Sequence, residues 1–369
     1  MTAAHARSGR PSMLGAALDG LAGGSVPGLS AVVMRGDRVI QERASGRADI
    51  STGQPAAPDT VYLWFSMTKI VTATAVMQLV ERGRLGLDDP VADHLPEFPT
   101  PRAGWPPVRV RHLLSHSAGL ANPMPVRWVH PADRPAREPH AFTLELLERH
   151  GKLRFPAGSK ASYSNLGYLA LGEVVTAAAG QPYTDHVREQ ILRPLGMDRT
   201  DFAYRPDMAA SAATGYQSRW SPMTPLFRLL LPPGVVAGTH GRFLAFHRFC
   251  VDGPAYGGLV GSARDAARFM AVHLNGGRAG GTEILSAPSV TAMQAIHARG
   301  RTLDVGLGWF RRRREPAGTV PHLEHLGGGG GFYNVMRIWP RESCGLVLMG
   351  NATRYGQGRV IAAAAPDQA

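Results

Sequence analysis

Along residues 63–80, positions 66, 70, 73, 77 and 80 fall at helical spacing in a run that is almost wholly apolar or small. The pattern predicts a buried helix whose first turn carries Ser66 and Lys69 on one face. Upstream, Ser12 is suited to cap a short helix that ends near Gly23 and Gly24. Two short β-like runs, 29–34 and 38–42, flank Arg35-Gly36-Asp37 and predict a hairpin. From Arg84 to about Tyr256 the pattern breaks into helical pieces between proline-rich loops. These pieces are 111–116, then 144–150 with Thr143 as cap and Gly151 as stop, then 166–179 stopped by Gly180. Ser262-Ala263-Arg264-Asp265 resembles a capping box that opens a helix to Leu274. Beyond it come three β-like runs, 306–312, 332–339 and 345–349, with a fourth around 320–326.

These periods predict an α/β (α+β) architecture in which both chain ends build one antiparallel sheet flanked by helices. On that reading residues 1–82 and 257–369 form a discontinuous sheet domain and residues 83–256 are a mainly helical insertion. The apolar stretch 223–246 is broken by prolines and glycines, which denies it one long helix. It reads equally as a core loop or as an apolar wall over a pocket.

Composition narrows the classes. With 369 residues and 44% hydrophobic content the chain is long enough to bury a large core. The net charge of +12 would permit nucleic-acid binding, but the arginines are scattered apart from 311–314 and no aromatic-basic alternation accompanies them. Solvated surface charge is the expectation, with no nucleic-acid partner. Cys250 and Cys344 are too few for a disulfide framework and suit a reducing compartment. The stretch 1–24 contains Arg7, Arg10 and Asp19 without an unbroken apolar core, and no apolar run of about 18 residues occurs. A cytoplasmic protein without a membrane span is therefore expected.

Lysine usage makes the first helix chemically suggestive. Of 40 Lys plus Arg only three are lysines, Lys69, Lys152 and Lys160. Arginine stays protonated near neutral pH and cannot act as a base, whereas a desolvated lysine can lose its proton. Ser66 three residues before Lys69 could thus be an activated nucleophile, or merely a helix cap. Tyr163 and Asn165, two residues apart in the turn before the 166–179 helix, can share a cavity, or can pack and cap. His325-Leu326-Gly327-Gly328-Gly329-Gly330-Gly331 precedes a strand, not a helix, so phosphate cradling is disfavoured. Glycines at a strand edge would instead let a substrate approach the backbone closely. The spacing of His322, Glu324 and His325 does not suit a zinc site, and no cofactor or metal is expected. The absence of a G-x-S-x-G elbow argues against an α/β-hydrolase.

Taken in order, Ser66-Met67-Thr68-Lys69, Tyr163-Ser164-Asn165 and His325-Leu326-Gly327 resemble the three motifs of the serine β-lactamase-like family. That family includes class C β-lactamases, D-Ala-D-Ala peptidases, D-aminopeptidases and carboxylesterases. Residues 85–91, 113–120, 194–197 and 257–260 are similar to it as well, so the likeness spans roughly 27–350. The resemblance implies a β-lactamase/transpeptidase-like fold with Ser66 as nucleophile and Lys69 and Tyr163 sharing the proton work in an undetermined division. It further implies an oxyanion hole from the Ser66 and Gly328 N–H groups and substrate contacts by Asn165, His325, Leu326 and Gly327. The third motif has no lysine or threonine, which weakens carboxylate recognition. The resulting expectation is an esterase on small acyl esters. The alternatives are a β-lactamase or D-amino-acid peptidase, an acyltransferase, and a non-catalytic scaffold or sensor. A small-molecule ester or amide is the expected partner, and the oligomeric state is left open.

Overall fold

A computed structural model describes residues 12–315 and 318–366; positions 1–11 of the N-terminal stretch weighed above as a leader lie outside it. Its centre is an eight-stranded antiparallel sheet whose order runs Ala298–Arg299, Leu303–Val305, Phe310–Arg312, Leu323–Gly329, Phe332–Trp339, Cys344–Gly350, Gly28–Arg35, Arg38–Gly46. The N-terminal hairpin therefore docks on the last strand of the chain, with Val32 opposite Val347. Alternation along these strands sorts the core. Val32, Met336 and Val347 face the main hydrophobic cluster, while Val33, Val335, Leu346 and Leu348 face a second cluster. The terminal helices Met13–Asp19 and Gly358–Ala363 cover that second face through Leu14, Leu18 and Val360. Each such buried aliphatic side chain contributes roughly 1.5–3 kcal/mol.

The helix Thr68–Glu81 runs through the main cluster and is buried on every face from Thr68 to Leu79. Its Ile, Val and Thr residues are poor helix formers, so burial and not propensity holds it. The hydroxyls are accommodated internally, Thr72 donating to the Ala255 carbonyl at 2.6 Å and Thr74 to the Ile70 carbonyl at 2.9 Å. Ser66 lies just ahead of the helix, in a 3₁₀ turn Phe65–Met67, and not in its first α turn as expected. Phe65 enters that turn with φ of 49°, a left-handed conformation uncommon for a bulky residue.

Several local expectations need correcting. Thr143 does not cap a helix; the helix Pro139–His150 starts earlier, with the Glu138 carboxylate accepting from the His140 and Ala141 amides. Only Phe310–Arg312 of the run 306–312 is a strand, because the chain bends at Gly308, where a Cβ would stand 2.8 Å from the Ala73 methyl. Ser262 accepts from the Asp265 amide, but the Asp265 carboxylate turns to the Arg199 amide and Thr200 hydroxyl, so half of the capping box forms. The stretch 223–246 is the helix Met223–Leu230 followed by the hairpin Val236–His240 and Phe243–Phe246. Among the described residues, no helix is long and apolar enough to cross a membrane.

One buried ion network fixes the strand that leads to the glycine run. Glu324, 2% exposed, accepts from Arg312 Nε at 2.5 Å and Arg337 Nε at 3.1 Å. Burial would push its carboxyl up, but the two guanidinium groups hold it below the ordinary glutamate value. Glu324→Gln is expected to destabilise the fold by about 3–5 kcal/mol, since it strands the Arg337 charge in the interior. Chemical denaturation at pH 7 checks this. The loss should shrink as pH falls through the depressed carboxyl value of the parent protein.

Candidate active site

The helix Asn165–Ala179 begins with Ser164 as its cap, the Ser164 hydroxyl accepting from the Gly167 amide at 3.2 Å. That leaves the Asn165 side chain unused for capping, and its Oδ1 accepts from Lys69 Nζ at 2.8 Å. Lys69 Nζ also donates to the Tyr256 carbonyl at 2.6 Å and stands 3.2 Å from Ser66 Oγ. Tyr163 OH donates to the same Oγ at 2.7 Å. Three distant pieces of chain, at residues 66–69, 163–165 and 256, thus meet at the Ser66–Lys69 pair.

Lys69 is fully buried, and no carboxylate pairs with it among the described residues. Its ammonium lies 5.0 to 5.5 Å from the ring centres of Tyr163, Tyr256 and Tyr168. Desolvation drives its pKa well below the ordinary lysine value, favouring the neutral amine. A neutral amine has two hydrogens and one lone pair. Two of its partners, an amide oxygen and a carbonyl, only accept, so both hydrogens are spent and the lone pair is left for the Ser66 hydroxyl. Burial pushes the Tyr163 phenol the other way, above its ordinary value, against a smaller lowering from Ser66. The phenol is held protonated, and the geometry offers Ser66 a proton acceptor on one side and a proton donor on the other.

Ser66 opens into a cavity of about 540 Å³. Met124, Val126 and Val129 form one side of it, and Met223, Phe227 and Leu231 another, so the stretch left open as loop or wall supplies a wall. Gly328, Gly329 and Gly330 line the floor beside Ser66. His325, Leu326 and Gly327 do not line it. His325 is 1% exposed, donates from Nδ1 to the Leu326 carbonyl, and packs its ring at a tilt with its centre 4.5 Å from that of Phe310. Burial and the nearby Lys69 lower its pKa to about 3, so it is neutral at pH 7.

The glycines differ in purpose. A Cβ at Gly327 would stand 2.0 Å from the Trp64 carbonyl oxygen, and one at Gly329 2.3 Å from the Phe65 ring. Close approach of this strand to the Ser66 turn, not to a ligand, explains both. Gly330, whose Cβ would meet nothing nearer than 3.9 Å, has no such constraint.

Sequence reasoning missed the Tyr256 carbonyl, which carries no side-chain signal, and Arg354, the one charged side chain on the described cavity lining.

A family model described as Beta-lactamase matches residues 16–369. Esterase EstB of Burkholderia gladioli is 31% identical over 360 residues, covering 92% of this chain and 90% of its own. Penicillin-binding protein 4 of Amycolatopsis lactamdurans is 30% identical over 343 residues, covering 88% and 81%. In fold, the chain matches the D-amino acid amidase from Ochrobactrum anthropi SV3 with a TM-score of 0.76 at 24% identity, over 95% of this chain and 98% of that one.

Proposed function

The chain belongs to the beta-lactamase family of serine hydrolases, and from that premise we propose that it is an esterase working through an acyl-enzyme on Ser66. The observation that carries this reading is the double approach to Ser66 Oγ, by Tyr163 OH at 2.7 Å and by Lys69 Nζ at 3.2 Å with its other partners already filled by acceptors.

Ser66 Oγ attacks the ester carbonyl carbon while its proton passes to the Lys69 lone pair. Charge that develops on the carbonyl oxygen is met by the Ser66 and Gly328 N–H groups. The C–O bond to the alcohol then breaks, and Tyr163 gives its proton to the departing oxygen. Lys69, which reaches the same region, returns its proton to the phenolate. Water repeats the sequence on the acyl-enzyme and releases the acid. The opposed pKa directions of amine and phenol support this division of labour, which the motifs alone leave open.

The apolar walls, the neutral His325 and a relative named as an esterase support small acyl esters as substrates. Two buried free thiols support action in a reducing compartment such as the cytoplasm. The β-lactamase or peptidase reading retains one observation in its favour, Arg354 on the cavity wall, a cation suited to a substrate carboxylate.

Exposure to a fluorophosphonate, and separately to p-nitrophenyl butyrate, is expected to yield a covalent adduct that mass spectrometry assigns to Ser66. Hydrolysis of the ester should outrun that of a chromogenic cephalosporin. No adduct on Ser66 would refute the acyl-enzyme, and a faster cephalosporin would favour the alternative.

A further inference from the structure

We propose that His116 is a positioning residue that sets the Tyr163 hydroxyl over Ser66 through a three-point clamp on the chain around Tyr163; this rests on Tyr163 being the proton donor to the leaving group. The first point is backbone: the Ser162 amide donates to the His116 carbonyl at 2.8 Å. The second is side chain: the Ser164 amide donates to His116 Nδ1 at 3.2 Å. The amides on both sides of Tyr163 therefore end on one residue. The third is ring on ring, with the imidazole and phenol centres 4.5 Å apart at 38°.

The clamp is built at a cost to His116 itself. Its φ is 54°, a left-handed backbone that few side chains adopt, and it persists only where surroundings over-determine it. Those surroundings are a set of hydrogen bonds: the Gly158 amide reaches the Ser117 carbonyl at 2.9 Å, the Arg154 amide reaches that of Gly119 at 2.9 Å, and Ser164 Oγ reaches that of Ala121 at 2.7 Å. Residues 116–121 are thus a rail along which the 154–164 turn is tied. His116 differs from the rest of the rail in using its side chain as well.

The role requires a neutral ring with its lone pair on Nδ1, because an imidazolium would have no acceptor for the Ser164 amide. Burial, with Lys69 and His325 nearby, holds the ring in that form. Phe310 backs the imidazole on a further side, its ring centre 5.6 Å away, so the ring cannot swing out without disturbing the core. A leucine would fill this space but leave the Ser164 amide unpaired. Asparagine tolerates the backbone and carries an acceptor oxygen near the position of Nδ1.

The test compares an ester with a poor leaving group, ethyl butyrate, against one with a good leaving group, p-nitrophenyl butyrate, in the parent protein, Tyr163→Phe, His116→Leu and His116→Asn. A misplaced proton donor hurts the alkyl ester most, since p-nitrophenolate departs without protonation. Both esters form the same butyryl-enzyme, so the contrast is read in kcat/KM, which reports acylation: Tyr163→Phe and His116→Leu are both expected to lower it for ethyl butyrate by about 100-fold and for p-nitrophenyl butyrate by less than about fivefold. His116→Asn should recover the ethyl ester to within about fivefold of the parent. Thermal melts and fluorophosphonate labelling of each variant establish that Ser66 remains folded in place. If Tyr163→Phe shows no leaving-group dependence, the proton-donor reading fails and the clamp with it. If Tyr163→Phe shows it but His116→Leu slows both esters equally or neither, the clamp alone is overturned.

Discussion

Replacing Lys69 by alanine is expected to lower the acylation rate by about two to four orders of magnitude, read as the single-turnover burst with p-nitrophenyl butyrate. Among the described residues that hydrogen-bond Ser66 Oγ, only Lys69 is suited to accept its proton: the phenol of Tyr163 is raised by burial and stays protonated. Lys69→Arg should fail as badly, because a guanidinium keeps its proton. In the parent protein the rate should climb as pH rises through the depressed Lys69 value and then level off well short of the ordinary lysine range. An unchanged rate in Lys69→Ala, or a rate that keeps climbing to pH 10, would remove Lys69 from the role.

The same desolvation has a thermodynamic signature. The amine is depressed in the fold and ordinary, near 10.4, in the unfolded chain, so the unfolded state binds more protons throughout the window between the two values. Stability attributable to this group therefore rises with pH across that window and is lost as pH falls toward the folded value. Buried Tyr168 and Tyr256, raised by burial, act in the opposite direction above about pH 10. The difference between parent and Lys69→Met isolates the lysine contribution.

Which parts of this arrangement were readable beforehand follows from what each residue type can signal. The central helix was readable because an apolar run too long for a strand and free of proline and glycine has few other uses, and the two-ended sheet because its strands are long, apolar and bounded by turns. Short strands such as Leu303–Val305 and Thr200–Asp201 were not, since two or three residues carry no period. Ser66, Lys69, Tyr163 and Asn165 were candidates because their side chains have distinctive chemistry. The Tyr256 carbonyl was invisible because every residue has one. His325 misled in a different way: its motif position suggested a ligand contact, and it shares a strand face with Gly327 and Gly329, but its ring is buried against Phe310 at 4.5 Å. The glycine run was read as an opening for substrate, while Gly327 and Gly329 serve the approach of one piece of backbone to another.

That approach sets the second large effect. Gly327→Ala is expected to lower kcat/KM by about two orders of magnitude or more, although the new methyl touches no substrate. It would stand 2.0 Å from the Trp64 carbonyl oxygen and 3.2 Å from the Met67 amide, the two ends of the turn that holds Ser66. Neither side can yield cheaply. The strand is tied down because Asn334, its cross-strand neighbour at Gly327, donates from Nδ2 to the Leu63 carbonyl at 2.9 Å and accepts from the Gly350 amide at 3.3 Å. The turn is tied by the Trp64 amide to the Leu259 carbonyl at 2.8 Å and already holds Phe65 at positive φ. A shift of about 1 Å in Ser66 relative to Lys69 and Tyr163 is enough for the predicted loss. Gly330→Ala, in the same run but with only ordinary contacts at 3.9 Å around its Cβ, should stay within about tenfold of the parent. Steady-state kinetics on both variants, with melting temperatures to show that each is folded, makes the comparison. Equal activity of the two would mean that the close approach of strand and turn does not govern where the Ser66 hydroxyl sits.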